Sequence, residues 1–468
     1  MERKQLEDLV KWNEDEDRKP LLVLGARQVG KTYLIEDLFA KRYYKNSYLR
    51  IDCSDEPDFV DYVFDNPSLA KVLDYIRVHY DFVPDSRHLL IFDEAQECLP
   101  LVQMMKHFCE KRRDIPLIVS GSLVRIRIKR SARKRGSFAE KNFLFPVGKI
   151  NQLIVYPLTF DEFLMNYKKP AYDYLVEAIE KCKEIPYEIH KDFMEIFNDY
   201  LFVGGMPEAV KTFIKNKSEM SIAYEKASAN IKDIYSDYLA DMELYQASQE
   251  SIMKCRLIYR DIYSQLNKEN KNFKCSQINK NYKTNDVITP IEWLVTANVV
   301  NKSHLAKEHV TSPLVESEGS LYRLYLSDMG LFTFQSGLDA KTFVTNKKNS
   351  LSGIFYENYI SIELVAHGYG LFYWKGKRDS ELEFLLDLKG RIIPIDAKKN
   401  KGSLNSVEEY RSHNPKDAVI KVSANQLGYD EKQKILTVPY YCFSFFLNSN
   451  FSLDSLTEEQ TFPIARNV

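Results

Sequence analysis

No apolar run in this 468-residue chain approaches the length of a membrane span, so no transmembrane helix is expected. Cysteine is sparse: seven are scattered with no C-x-x-C pair, which argues against a disulfide framework and a cysteine zinc site. An excess of either charge is also missing, and the net charge of −1 names no partner by itself. The opening, MERKQLEDLVKWNEDEDRKP, is too charged for a signal peptide. These absences lead to the expectation of a cytoplasmic protein with no membrane partner. What is present is ordinary globular material, 44% hydrophobic and 28% charged. The chain is too long for one compact core, and its length suggests roughly two to four domains.

The stretch LLVLGARQVGKTYLIEDLF begins as a short buried strand, Leu21 to Leu24, and from Tyr33 reads as a helix with Leu34, Ile35, Leu38 and Phe39 on one face. Between them lies Gly25-Ala26-Arg27-Gln28-Val29-Gly30-Lys31-Thr32, a G-x-x-x-x-G-K-T loop in the strand–loop–helix setting this pattern requires. Glycines let backbone N–H groups curl around phosphates, and the helix start adds its positive dipole end. Lys31 is expected to reach the β- and γ-phosphates of ATP, and Thr32 to ligate Mg²⁺. The alternative is a chance Gly-Lys-Thr turn.

A loop of this kind needs a carboxylate on a second strand. HLLIFDEAQE supplies one, with His88 to Phe92 reading as a buried strand and Asp93 and Glu94 at its carboxyl end, where open α/β sheets bind ligands. Asp93 is expected to hold Mg²⁺ and Glu94 to polarise the attacking water. Ile115 to Ser122 reads as a third strand, with Ser120 and Ser122 as candidate sensors of the γ-phosphate or as an ordinary Ser/Gly turn. Beyond it, Arg125, Arg127, Lys129, Arg130, Arg133, Lys134 and Arg135 put seven positive charges in eleven residues. Such a run is a solvated loop or a contact for nucleic-acid phosphate or a neighbouring subunit's nucleotide. Lys149 is either a second cation near the phosphates or a turn lysine.

The middle is helical and rich in tyrosine. FNDYLFVGGMPEAV breaks a helix at Gly204-Gly205, and Pro207 opens the next. QINKNYKTNDVITPIEWLVTANVVNKS reads as helix–turn–helix with Ile288, Ile291, Leu294 and Val295 packing inward. SPLVESEGSLYRLYLSDMGLF follows with two expected strands around Glu318-Gly319. That order is a winged helix, a module for DNA binding, for dimerisation or for covering an ATPase. Its recognition helix carries Glu292 and few cations.

The last hundred or so residues hold a second constellation. In SELEFLLDLKGRIIPIDAKK, Glu381 to Leu388 and Arg391 to Lys398 read as strands joined around Gly390. Period two puts Asp396 and Lys398 on one face and Glu381 and Glu383 on one face of the other strand. Upstream, Glu357 shares a helix face with Ile360 and Leu364, so it points inward. Acids so placed, with a lysine beside them, suit a Mg²⁺-dependent phosphodiesterase. The alternative is hairpin charge pairing.

The segments GARQVGKT, IFDEAQE, SGSL, FPVGKINQLIVYPLTFDEFL, YLFVGGMPEAV, YRLYLSDMGL, FYENYISIEL and ELEFLLDLKGRIIPIDAKK, in that order, resemble the bacterial and archaeal AAA-type P-loop ATPases that end in a PD-(D/E)XK, restriction-endonuclease-like domain. The resemblance implies an α/β chain: a P-loop αβα ATPase core (1–157), a helical linker (158–253), a winged-helix segment (254–340) and a nuclease-like end (341–468). It places the phosphate and Mg²⁺ positions on Gly30, Lys31, Thr32, Asp93 and Glu94, and the nuclease-like metal acids on Glu357, Glu383 and Asp396, with Lys398 as the lysine. Glu383 and Asp396 stand where the family usually has Asp and Glu, so each changes reach by one methylene. The expectation is an ATP-binding, ATP-hydrolysing and DNA-associated ATPase, with a homo-oligomer or a protein partner also open. The alternatives are an ATP-switched binding protein with an inactive nuclease fold and a winged-helix regulator.

Overall fold

The structure is a computed structural model that describes residues 1–122, 146–181, 183–245, 248–319, 321–377, 380–398, 405–414 and 418–448. The arginine-rich run from Arg125 to Arg135 lies outside the described residues. The chain divides into two compact units. The first is Met1–Tyr156 with Glu243–Ala247 and Thr296–Asn298; the second is Pro157–Met242, Ser248–Val295 and Val299–Val468. Apart from those two short pieces, the three segments expected after 157 fall within the second unit.

The first unit is built on five parallel strands, β1 (Leu21–Leu24), β2 (Tyr48–Asp52), β3 (Leu89–Asp93), β4 (Leu117–Ser120) and β5 (Asn151–Ile154), in the order β2-β3-β4-β1-β5. β1, β3 and β4 are buried along their whole length, which is why they read as continuous apolar runs. Around them pack Val63, Val72, Leu101 and Phe108 from the flanking helices, with Leu22, Phe92 and Val119 from the sheet. Because every ladder is parallel, the carboxyl ends of β1, β3 and β4 share one edge of the sheet. Leu34, Ile35, Leu38 and Phe39 are buried on the helix Tyr33–Ala40, as its periodicity predicts.

The second unit carries two mixed sheets. One has the order β7-β6-β8-β9 and is formed by β6 (Val300–Leu305), β7 (Tyr322–Leu326), β8 (Leu371–Lys375) and β9 (Glu381–Leu382). The other has the order β10-β11-β12-β14-β13, formed by β10 (Phe384–Leu388), β11 (Arg391–Lys398), β12 (Val419–Ser423), β13 (Gly428–Asp430) and β14 (Ile435–Pro439).

Three expectations are corrected here. The hairpin is made by β6 with β7, and the arm before Glu318 contributes only an isolated bridge, Ala306 to Glu316. The ladder does not stop there, since β8 adds to β6 in parallel. On the helix Thr284–Thr296, Val287, Ile291 and Leu294 are buried, spaced i, i+4, i+7, while Ile288 is 48% exposed and Val295 only half-buried. The stretch from Glu381 to Leu388 is two strands rather than one. β9 pairs with β8 and β10 with β11, so the chain changes sheets at Glu383. A strand that hands over between ladders bends at the handover, which takes Glu383 out of the period-two pattern.

Two of the segments singled out in the sequence meet in this unit. Gly205 donates its N–H to Asp328 Oδ2 at 2.6 Å and accepts from Leu158 N at 2.8 Å. Asp328 Oδ1 also caps the helix Met329–Ser336 by accepting from Leu331 N at 3.0 Å. FVGGMP and LSDMGL are thereby explained as two backbone stretches in close packing.

A second buried polar knot surrounds Glu363, on the helix Gly353–Ala366. Its Oε1 accepts from Phe160 N at 2.9 Å, and Asp161 nearby accepts from Ser444 at 2.6 Å and Asn448 at 2.9 Å. Burial first, then the charge of Asp161, pushes the Glu363 carboxyl up to about 8, against smaller lowering by Phe160 N–H and Ser444. The folded state therefore prefers the protonated acid, so the stabilisation is full below the ordinary value of 4.5 and is lost as pH rises through 8. Glu162, His367 Nδ1 at 3.9 Å from Glu363 Oε2, and the hydroxyls of Tyr200 and Tyr359 are further titratable groups close to it. The unfolding free energy of wild type, from urea titrations, is expected to fall between about pH 5 and 8, by up to ~1.4 kcal/mol per pH unit. Glu363→Gln, which keeps the acceptor for Phe160, is expected to flatten that slope; an unchanged slope would place the titration elsewhere.

Candidate nucleotide-binding site

The loop after β1 is shaped by residues that only its sequence allows. Gly25 has φ +148°, and a Cβ there would lie 2.2 Å from the Val155 carbonyl oxygen. Gly30 has φ +91°, where a side chain is strained. The Lys31 ammonium sits within the loop, 5% exposed, donating to Ala26 O at 2.8 Å and Gly25 O at 3.2 Å. It is thus already at the phosphate end of the loop, held by carbonyls that anionic oxygens would replace as its partners. Thr32, the next residue, donates its hydroxyl to Asp93 Oδ2 at 2.8 Å.

Asp93 ends β3 and is 1% exposed. Its Oδ2 also accepts from Arg50 Nε at 3.0 Å and Nη2 at 2.9 Å, and its Oδ1 accepts from Ser120 Oγ at 2.5 Å and Glu94 N at 3.1 Å. Burial alone would raise this carboxyl, but the donors Ser120, Arg50 and Thr32 outweigh it and hold the group below the ordinary aspartate range. The acid is ionised at neutral pH. A hydroxyl and an ionised carboxylate side by side are the hard oxygen donors that Mg²⁺ takes, so Thr32 and Asp93 fit that ion.

Glu94 follows in the left-handed region, φ 49°, ψ 41°, and its Oε2 accepts from Gln96 Nε2. A non-glycine residue held there at the end of a strand is strained, as residues beside reacting groups often are. Ser120 is brought to the site, but as a support for Asp93. Ser122 is buried at the end of the described segment, without a role that the structure identifies. Lys149 takes the turn reading: it is 43% exposed and pairs with Glu110 at 3.1 Å.

Arg50 was missed in the sequence. It sits on β2, beside β3, and binds Asp52 at 2.6 Å as well as Asp93. The available signal was a lone cation inside the strand YLRID, which becomes meaningful only once β2 and β3 are neighbours.

The acids expected to form a second metal site lie in the other unit. Glu357, Glu383 and Asp396 are all buried, at 6%, 5% and 2% exposure. Glu383 Oε2 accepts from Ala397 N, the residue after Asp396, at 3.1 Å. Glu357 Oε1, however, is 2.5 Å from the Lys271 ammonium, which also lies 3.7 Å from Glu381. Arg323, 1% exposed, pairs with Glu381 at 2.5 Å. Among the described residues, no group of three or more His, Cys, Asp or Glu is arranged to hold a metal ion. With a lysine seated on Glu357, these acids do not fit a divalent cation as they stand. Lys398 closes β11, and its side chain lies outside the described residues. Arg323 had a signal in the sequence, a cation inside the apolar strand YRLYL; Lys271, in the polar run NKENKN, had none.

Comparison with known proteins agrees with the first unit. Residues 17–164 match the family model of an AAA domain. Residues 194–342 and 352–441 match two models described as domains of unknown function, DUF8612 and DUF4143. No curated protein matches the chain. Solved structures similar to it include AMPPCP-bound DnaA from Aquifex aeolicus, at 14% identity and TM-score 0.26 over 62% of this chain and 85% of that one. A DNA replication initiation factor is similar at 14% identity and TM-score 0.22, over 62% of this chain and 86% of that one. Likeness at that level carries no argument about what this chain binds. The motif, the parallel sheet and the family model together make the first unit an AAA-type P-loop domain, a nucleotide-binding class. No helix among the described residues is long and apolar enough to cross a membrane.

Proposed function

We propose that the chain is a Mg²⁺-dependent, ATP-hydrolysing AAA-type ATPase that works in association with DNA. The observation that carries the ATPase reading is the Lys31–Thr32–Asp93 arrangement: loop ammonium, hydroxyl and ionised carboxylate at one edge of a parallel sheet. In this reading the backbone of residues 25–31 wraps the phosphates and Lys31 neutralises the β- and γ-phosphoryl oxygens. Thr32 and Asp93 hold Mg²⁺, which when bound offsets the charge that builds between those phosphates. Glu94 orients the attacking water and takes its proton, while Ser120 and Arg50 keep Asp93 charged and in place. The direct test is release of phosphate from ATP by purified protein, with magnesium and with EDTA. No hydrolysis above background in magnesium, across a range of DNA additions, would remove the enzyme from this reading.

Association with DNA is supported by the run from Arg125 to Arg135, whose seven cations follow β4 in the chain. Replacing three of its arginines with alanine is expected to weaken binding to all DNA sequences alike and to flatten the salt dependence by about one unit per lost phosphate contact. Fluorescence anisotropy over a salt series measures this, and an unchanged slope would return the run to a solvated loop. For the C-terminal part a second reading, a binding module without cleavage chemistry, is favoured by one observation, the Lys271–Glu357 ion pair.

A further inference from the structure

The C-terminal acids are where a metal is expected from the sequence and where the structure has a lysine instead. Lys271 lies in the turn after the helix Gln249–Leu266, far in sequence from the acids it meets. The turn is fixed just after it. Asn272 N bonds Asn270 Oδ1 at 3.1 Å, Tyr373 donates to Asn272 Oδ1 at 2.8 Å, and Phe273 N donates to Tyr322 O at 2.9 Å. Those contacts tie the turn to β7 and β8, the strands beside the acids. Lys271 is therefore delivered by backbone and not by a loose side chain.

We propose that Lys271 is the built-in counter-cation of the Glu357, Glu381 and Glu383 group, standing where a divalent ion would sit, so that this part of the chain is held together without a metal. A lysine ammonium is a compact point charge, and among side chains it is close in shape and sign to a small bound cation. Burial would push its pKa down, but Glu357, Glu383 and Glu381 raise it on balance, so it stays charged. Arg323 serves Glu381 from the other side, its guanidinium 3.9 Å from the centre of the Tyr373 ring. The second oxygen of Glu357, Oε2, is buried with no hydrogen-bond partner among the described residues. If Lys271 were taken away, that carboxylate would lose the cation bonded to it inside the protein, a costly state that a divalent ion would relieve.

The inference is tested by Mn²⁺ binding, read by electron paramagnetic resonance on nucleotide-free full-length protein in an Asp93→Asn background that removes the P-loop's own seat. The Lys271-containing parent is expected to bind no Mn²⁺ at this place. Adding Lys271→Met is expected to create a site at least ~10-fold tighter than any in the parent, and adding Glu383→Gln to remove it again. Mn²⁺ is also expected to raise the melting temperature of the Lys271→Met protein and not that of the parent. Mn²⁺ bound by the parent and lost on Glu383→Gln would overturn the proposal, as would a folded Lys271→Met protein that binds none. Should Lys271→Met fail to fold, Lys271→Met with Glu357→Gln removes both charges together and is expected to restore folding. No rescue would show that Lys271 is not the counter-charge of Glu357. The outcome is separable from the ATPase reading, since parent and variants alike carry Asp93→Asn and are read without nucleotide.

Discussion

Lys31→Ala is expected to abolish nucleotide binding, whereas Glu94→Gln is expected to bind ATP normally and to lose turnover by a factor on the order of a hundred or more. The two residues act at different stages. The Lys31 ammonium, bonded to Ala26 O and Gly25 O, is a cation held inside the phosphate loop, so its removal takes away ground-state attraction for the β- and γ-phosphates. Glu94 carries a carboxylate just past Asp93, where water would be polarised, and a glutamine there keeps shape and loses basicity. Binding is read with a fluorescent ATP analogue and turnover by phosphate release. Full hydrolysis by Glu94→Gln would remove Glu94 as the group acting on water, and unchanged affinity in Lys31→Ala would remove the loop as the phosphate site.

Gly205→Ala is expected to cost more than ~3 kcal/mol of stability in the second unit, a loss as large as a major core truncation. A Cβ at Gly205 would stand 2.1 Å from the Leu158 carbonyl oxygen, and 2.8 and 2.9 Å from that residue's N and C atoms. All three are backbone atoms, so no side-chain rotation relieves the clash. Moving the backbone apart would stretch the Leu158 N to Gly205 O bond and the Gly205 N–H to Asp328 bond together, leaving the buried Asp328 carboxylate short of a donor. Thermal unfolding followed by circular dichroism measures the loss. A melting temperature within a few degrees of wild type would mean the Gly205 segment is not packed this way. ATP binding by the first unit is the readout that separates a local effect from general misfolding.

The phosphate loop was legible because its parts are contiguous: a buried strand, a glycine loop and a helix start within twenty or so residues. Asp93 and Glu94 were legible because a fully buried parallel strand has no alternation to hide its end, and acids after such a run stand out. Ile288 was misplaced because in a short helix the neighbouring apolar positions Val287 and Ile288 compete for the buried face, and packing, not composition, set the phase. The single strand expected through Glu383 failed for a related reason, since period-two alternation shows a strand but not the partner it pairs with.

By itself the sequence determined the loop from Gly25 to Thr32, because its parts are covalent neighbours and local backbone geometry is enough to shape it. Tertiary structure decided everything that depends on distant charges meeting. Arg50 reaches Asp93 only because β2 lies beside β3, and Ser120 supports that acid only because β4 lies on its other side. Lys271, 86 residues from Glu357, meets it only in the folded chain. In water these charges would be solvated separately and screened. Buried together they choose partners, and that choice set the acids apart from the metal site their spacing suggests.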